Sequence, residues 1–213
     1  MSTPRSSSPR SKRAPRRDPQ AADRSDATSR LLLVSNRLPV TARRERGKLV
    51  LQQSAGGLAT GLHSVYDPSD GLWFGWSGML ARDAQALGDP DVWTRRGCVP
   101  IPLTRTDVRD YYEAYGNGVI WPLFHSLLDR LPLQPGPWTA YERVNRRFAD
   151  AVAAEYRPGD VIWVHDYQLM RVPGHLRAAL PDARIGFFLH IPFPSVEIFS
   201  ALPGRERVLE GLL

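Results

Sequence analysis

Three nearly unbroken apolar runs, Leu31-Leu32-Leu33-Val34, Val161-Ile162-Trp163-Val164 and Ile185-Gly186-Phe187-Phe188-Leu189, limit what this chain can fold into more than any other feature. A strand with one wet face alternates apolar and polar residues. A run that is apolar at every position must be covered on both faces, as in a parallel sheet between layers of helix. The intervals fit that arrangement. Leu169, Val172, Leu176 and Leu180 fall on one helical side between the second and third runs and complete a βαβ unit, and Tyr141, Val144, Phe148 and Val152 mark one face of an earlier helix that must end before Pro158-Gly159. Leu72–Trp76 and Val99–Leu103 read as further strands, the second irregular or at an edge because of Pro100 and Pro102. Lys48–Leu51 reads as a hairpin arm, and Gly56-Gly57 as the N-terminus of a short helix through Leu58, Leu62 and Val65. The expected class is α/β, a Rossmann-like parallel sheet with helices on both faces.

In an open sheet of this kind ligands bind beyond the carboxyl ends of the strands. The residues that end the three runs are polar: Asn36-Arg37, His165-Asp166 and His190, all expected on one edge of the sheet. Arg37 offers a forked set of donors suited to phosphate or carboxylate, with a surface ion pair as the alternative. Gly56 and Gly57 would let an anion approach backbone N–H groups at a helix N-terminus, although two glycines equally make a plain tight turn. Asp166 is a carboxylate for sugar hydroxyls or a base, or else the cap of the next helix. His190 lies in Leu189-His190-Ile191-Pro192-Phe193-Pro194, where two prolines force an irregular loop.

The segment from Asp110 to Asn117, with Tyr111, Tyr112 and Tyr115, and the segment Trp121-Pro122-Leu123-Phe124-His125 concentrate aromatic and polar groups suited to a pyranose ring. Trp76, Trp93, Trp138 and Trp163 are read on composition as core.

The net charge of +6 misleads unless it is located. Residues 1–30 carry eight Arg or Lys against Asp18, Asp23 and Asp26, so nearly all of the excess lies there, in a Ser-, Pro- and Arg-rich stretch with almost no large apolar residues. Such a stretch cannot bury enough surface to offset its ordering entropy, and it reads as a disordered, solvated extension rather than a nucleic-acid arm. Cys98 is the single cysteine, which excludes an internal disulfide. No apolar run reaches the roughly 18–20 residues of a membrane span. No specific nucleic-acid partner and no membrane partner are expected, and the cytoplasm is the default compartment. His165, Asp166 and His190 lack a local metal-ligand spacing, so no metal is expected.

Six motifs in order, Ser35-Asn36-Arg37-Leu38-Pro39, Ser54-Ala55-Gly56-Gly57-Leu58, Leu72-Trp73-Phe74-Gly75-Trp76-Ser77-Gly78, Trp121-Pro122-Leu123-Phe124-His125, Val164-His165-Asp166-Tyr167-Gln168-Leu169 and Phe187-Phe188-Leu189-His190-Ile191-Pro192-Phe193-Pro194, resemble the trehalose-6-phosphate synthase family, retaining glycosyltransferases of family 20. The resemblance runs from Leu31 to the end of the chain. It implies the N-terminal, acceptor-side domain (residues 31–213) of a two-domain GT-B architecture, with the nucleotide-sugar domain absent from these residues and the fragment inactive or nearly so by itself. It implies glucose transfer from a nucleotide sugar such as UDP-glucose to glucose 6-phosphate with retention, without a metal or other cofactor, and leaves a homo-oligomer open for the complete enzyme. By motif, Arg37, Trp76, Tyr112, Trp121 and Asp166 would form the acceptor site, Gly56 and Gly57 would touch the donor diphosphate, and Asp166 and His190 would serve the chemistry. The stretch Tyr112-Glu113-Ala114-Tyr115-Gly116-Asn117 departs from the family's Tyr-Asn-Gly-Phe-Ser-Asn pattern. A sister synthase with another acceptor, such as glucosylglycerol phosphate synthase, a pseudo-glycosyltransferase and a non-catalytic sugar-phosphate sensor share this scaffold.

Overall fold

The structure is a computed structural model that describes residues 29–212, apart from 47, 55–60, 63–65, 67–69, 85–90 and 135. The basic stretch up to residue 28 lies outside the described residues, as do Gly56, Gly57 and most of the helix expected around them.

Five strands form one parallel sheet: β1 (Leu31–Arg37), β4 (Gly71–Trp76), β5 (Cys98–Pro100), β6 (Val161–His165) and β7 (Arg184–Phe188), in the order β5-β4-β1-β6-β7. The chain therefore starts in the middle, builds outward to β5, and returns to the other side of β1 for β6. The junction of β1 and β6 is the point at which the winding reverses, where a crevice opens in folds of this class. A hairpin of β2 (Val40–Glu45) and β3 (Lys48–Gln53) stands apart as a two-stranded antiparallel sheet. Only its second arm has an apolar run. The first, Val-Thr-Ala-Arg-Arg-Glu, exposes only its last three residues and is held by its pairing with β3 and by Ala42 in the smaller of the two core clusters.

The alternation of side chains along β1 divides the interior in two. Leu32 and Val34 pack with Phe74, Ile162 and Val164 in the larger cluster, while Leu33 packs with Trp73 and Cys98 in the smaller. The larger core lies under α1 (Trp138–Glu155), α2 (Val172–Ala179) and a π-helical stretch, Val108–Ile120, that runs on into Trp121–Phe124. In α1, Tyr141, Val144, Phe148 and Val152 are fully buried, so the 3.6-residue stripe of the sequence is the packed face. Arg30, placed by composition in the basic tail, instead fixes the entry to β1: its guanidinium meets Asp160 through Nε at 3.2 Å and Nη2 at 2.7 Å.

β7 departs from expectation. Its apolar composition predicts burial on both faces, yet it is an edge strand among the described residues, with Phe188 half exposed and alternate positions open to solvent. Apolar composition says that a strand wants covering; it does not supply the cover. The opposite edge behaves as its prolines predict, because β5 is three residues long and lies at the sheet margin.

Two features couple this scaffold to the crevice. β1 pairs Val34 with Phe74 but Arg37 with Trp76, so Ser35 and Asn36 together face Gly75 in a bulge. The bulge is tied off by Ser35 Oγ, which donates to the Arg37 carbonyl at 2.6 Å and accepts from Trp73 Nε1 at 2.7 Å. Gly75 has no room for a side chain: a Cβ there would stand 2.7 Å from both the Arg37 carbonyl carbon and the Leu38 nitrogen. Second, Thr104 and Asp107 form a capping box at the start of the segment that becomes the π-helix. The Asp107 carboxylate is also bound by Arg143 and Arg147 of α1, each at 2.8 Å.

Gly75→Ala is expected to destabilise the chain by about 1–3 kcal/mol, since only backbone could move to accommodate the methyl; denaturant unfolding measures it. Burial opposes ionisation of Asp107, but hydrogen bonds from Arg147, Arg143 and Thr104 outweigh it and hold its pKa below the ordinary carboxylate value. A depressed folded pKa gives stability that is present above the unfolded value and lost as pH falls below about 4. Asp107→Asn should accordingly lower stability at neutral pH and flatten the acid limb of a stability–pH curve.

Candidate active site

Arg37 leaves the bulge at the end of β1 with an exposed side chain. Its guanidinium carbon lies 4.5 Å over the Trp76 ring and 5.6 Å from the Tyr112 ring, and those two rings meet edge to face at 6.1 Å. Among the described residues no carboxylate forms an ion pair with Arg37. Stacking fixes the guanidinium plane without neutralising it, and leaves the donor fork available to an anion. Trp76 does two jobs: it is buried, as composition requires, and its face carries the arginine, while its Nε1 donates to the Met79 carbonyl at 2.7 Å. Tyr112 reaches this group from the π-helix, whose wider winding is recorded in the Trp121 N–H donating to the Gly116 carbonyl. Trp121, where the π-helical stretch runs on into Trp121–Phe124, lies against His125 with ring centroids 4.1 Å apart and has its own carbonyl 2.7 Å from His125 Nδ1.

Asp166 follows β6 with φ 77° and ψ 166°, a conformation that is nearly exclusive to glycine. Its Oδ1 accepts from the Tyr167 N–H at 3.0 Å and the His190 N–H at 3.3 Å. It caps the short turn Tyr167–Leu169, as one reading of the sequence allowed, and it also joins the loops after β6 and β7. Among the described residues Oδ2 accepts no hydrogen bond.

His190 stands exposed on the loop after β7, and behind it His165 is fully buried at the end of β6. Their rings approach at 5.2 Å, with His165 Nδ1 and His190 Nε2 3.0 Å apart. Arg37, Asp166 and His190 thus come from three adjacent strands and share one edge of the sheet, as expected. Gly56 and Gly57, expected at the donor diphosphate, lie outside the described residues. Among the described residues no three His, Cys, Asp or Glu side chains are grouped as a metal site, and no helix is long and apolar enough to cross a membrane.

Sequence reasoning missed the groups that hold the turn after β6. Tyr141 Oη donates to the Tyr167 carbonyl at 2.6 Å and accepts from the Met170 N–H at 3.1 Å. Asn145 donates to the carbonyls of Tyr141 and Gln168, and its Oδ1 accepts from the Arg171 N–H at 3.1 Å. Tyr167 Oη in turn reaches Asn117 Oδ1 of the π-helix at 2.9 Å. The available signal was a polar residue, Asn145, inside the apolar stripe of α1.

The family profile of glycosyltransferase family 20 matches residues 29–213. A trehalose-6-phosphate synthase of Mycobacterium ulcerans (strain Agy99) is 42% identical over 186 residues, covering 87% of this chain and 37% of the relative. The chain therefore spans little more than a third of the length of that curated relative. The solved structure of an alpha,alpha-trehalose-phosphate synthase (UDP-forming) from Burkholderia xenovorans in complex with glucose-6-phosphate matches with a TM-score of 0.67 and 34% identity, covering 86% of this chain and 38% of that one. A solved structure described as trehalose-6-phosphate from E. coli bound with UDP-2-fluoro glucose gives a TM-score of 0.68 at 38% identity, covering 86% of this chain and 38% of that one.

The backbone at Asp166 generates a reversal of the usual order of helix and strand formers. Asp166→Gly and Asp166→Ala both lose the carboxylate, but only glycine relieves the strained φ. The glycine variant is expected to be more stable than the alanine variant by about 1–3 kcal/mol, measured by denaturant unfolding of the pair.

Proposed function

The chain belongs to glycosyltransferase family 20, and from that premise we propose that it supplies the acceptor side of a retaining glucosyl transfer from UDP-glucose to glucose 6-phosphate, giving trehalose 6-phosphate. The observation that carries this reading is the Arg37 fork, unpaired by any carboxylate among the described residues and stacked on Trp76 beside Tyr112 at the mouth of the crevice. A sugar phosphate satisfies both halves of it: phosphate oxygens take the forked donors, and the pyranose ring lies against aromatic faces. The ligands named for the Burkholderia xenovorans and E. coli structures, glucose-6-phosphate and UDP-2-fluoro glucose, support the same acceptor and donor.

In this reading Asp166 holds acceptor hydroxyls through Oδ2 while Oδ1 keeps the two loops together. Gly56 and Gly57 approach the donor diphosphate, and Trp121 closes the acceptor pocket beyond Tyr112. His190 stands beside the transferred glucose. The bond from the anomeric carbon to the donor phosphate oxygen breaks as the bond to the acceptor oxygen forms on the same face. The acceptor's hydroxyl proton passes to the departing phosphate, so the route needs neither a pair of protein carboxylates nor a metal. Residues 1–213 by themselves are proposed to bind acceptor with little or no turnover, since the relatives are more than twice as long.

Calorimetric titration of the chain with glucose 6-phosphate, glucose and glycerol 3-phosphate tests the reading. Glucose 6-phosphate should bind best, and Arg37→Ala should weaken it by roughly ten- to a hundredfold, the equivalent of about 1.5–3 kcal/mol for a charge-assisted contact. Equal affinity of wild type and variant would remove Arg37 from the site, and a preference for glycerol 3-phosphate would move the assignment to a sister synthase.

A further inference from the structure

His165 has no part in the reading above, although it is fully buried at the wall of the crevice. Its Nδ1 lies 3.0 Å from Nε2 of His190, and the two ring planes are within 28° of parallel. Trp163 packs against His165 with ring centroids 4.4 Å apart, and Phe188 flanks both imidazoles, 6.4 Å from His165 and 4.7 Å from His190. The Asp166 carboxylate meets the backbone N–H of His190 rather than its ring. On its far side, His165 Nε2 is buried and has no hydrogen-bond partner among the described residues.

These contacts decide where the protons sit in the neutral pair. One N–H must lie between Nδ1 of His165 and Nε2 of His190. If His190 supplied it, His165 would carry its own proton on Nε2, a buried donor with nothing to accept it. If His165 supplies it, the orphan is a bare lone pair. Buried N–H groups without acceptors are the rarer and costlier defect. His165 has a single proton to place, because burial, and after it the charge of His190, lower its pKa to about 4.

We propose that His165 is a positioning residue whose Nδ1–H, donated to His190 Nε2, fixes the ring plane of His190 and its neutral tautomer. His190 then turns Nδ1–H toward the crevice as a donor to an oxygen of the transferred sugar. Its one basic lone pair, on Nε2, is already occupied by His165, so neutral His190 orients and stabilises and does not serve as a base. The identity of the oxygen rests on the glucosyl-transfer reading; the tautomer does not.

The test is a two-bond proton–nitrogen spectrum of the nitrogen-15-labelled chain at about pH 8, where an ordinary histidine is neutral. His190 is expected to show Nε2 in the unprotonated range and Nδ1 in the N–H range. A coupling through the hydrogen bond should run from His165 Nδ1–H to His190 Nε2. In His165→Phe the coupling is gone, and His190 should drift toward a mixture containing the Nε2–H tautomer. A wild-type His190 protonated at Nε2, or a folded His165→Phe variant in which His190 keeps pure Nδ1–H, would overturn the proposal. If His165→Phe fails to fold, the direction of the wild-type coupling decides by itself. No substrate is present, so failure of the acceptor titration would sink the functional reading and leave this result standing.

Discussion

The structure depends on a strand that cannot touch water. Leu32, Leu33 and Val34 of β1 have no exposed surface, so β1 needs a neighbour on each edge and a cover on each face before any of its length is stable. Its register with β4 and β6 follows from that demand, and so does the place where the chain escapes. The first polar side chains, Ser35 and Asn36, are buried and hydrogen-bonded at the end of the strand, and there the bulge they form turns the backbone by one residue relative to β4. A regular strand would continue the alternation into the sheet; the extra residue re-aims Arg37 onto Trp76. The absent side chain at Gly75 is what lets the two backbones come close enough for this. The position of the guanidinium is thus a consequence of how the core closes.

The second strand end is built by a different means. The turn after β6 carries a residue, Asp166, in a backbone conformation that its own side chain disfavours. Strain of this kind survives where surrounding bonds over-determine the geometry. Here Tyr141 and Asn145, both fully buried in α1, bind backbone groups of Tyr167, Gln168, Met170 and Arg171 from below. The long helix does more than cover the sheet. It clamps the turn, and the clamp holds Asp166 against the His190 loop.

The sequence made the sheet, the covering helices and the shared polar edge legible because each rests on a period or a run that local composition controls. Leu31–Val34 and Val161–Val164 could be little else, and the stripe from Tyr141 to Val152 is buried along its whole length. The exposure of β7 was not legible, because whether an apolar strand is covered is decided by what packs on it rather than by its own residues. The shared position of Arg37, Asp166 and His190 at adjacent strand ends was legible, whereas their supports were not. Asn145 and Tyr141 act on a turn more than twenty residues away, and His165, expected with Asp166 at the polar edge, is buried with His190 as its partner. Trp76 is buried, as composition requires, and its ring also supports Arg37, so burial does not by itself remove a tryptophan from the strand-end group.

What unites the crevice is that, among the described residues, Arg37 and the His190 ring are ordered without a carboxylate partner. A guanidinium at a protein surface is commonly satisfied by a carboxylate, and a site that used one would have to break that pair before it could take an anion. Stacking on Trp76 and Tyr112 avoids the exchange, since it orders the group while leaving both its charge and its in-plane donors unspent. The histidine pair applies the same economy at the neighbouring strand end: one imidazole is buried so that the other is held in place by a single shared proton, with its outer nitrogen still free to bond. In each case an aromatic or apolar wall supplies the order, and the polar group it orders remains available to whatever enters the cleft.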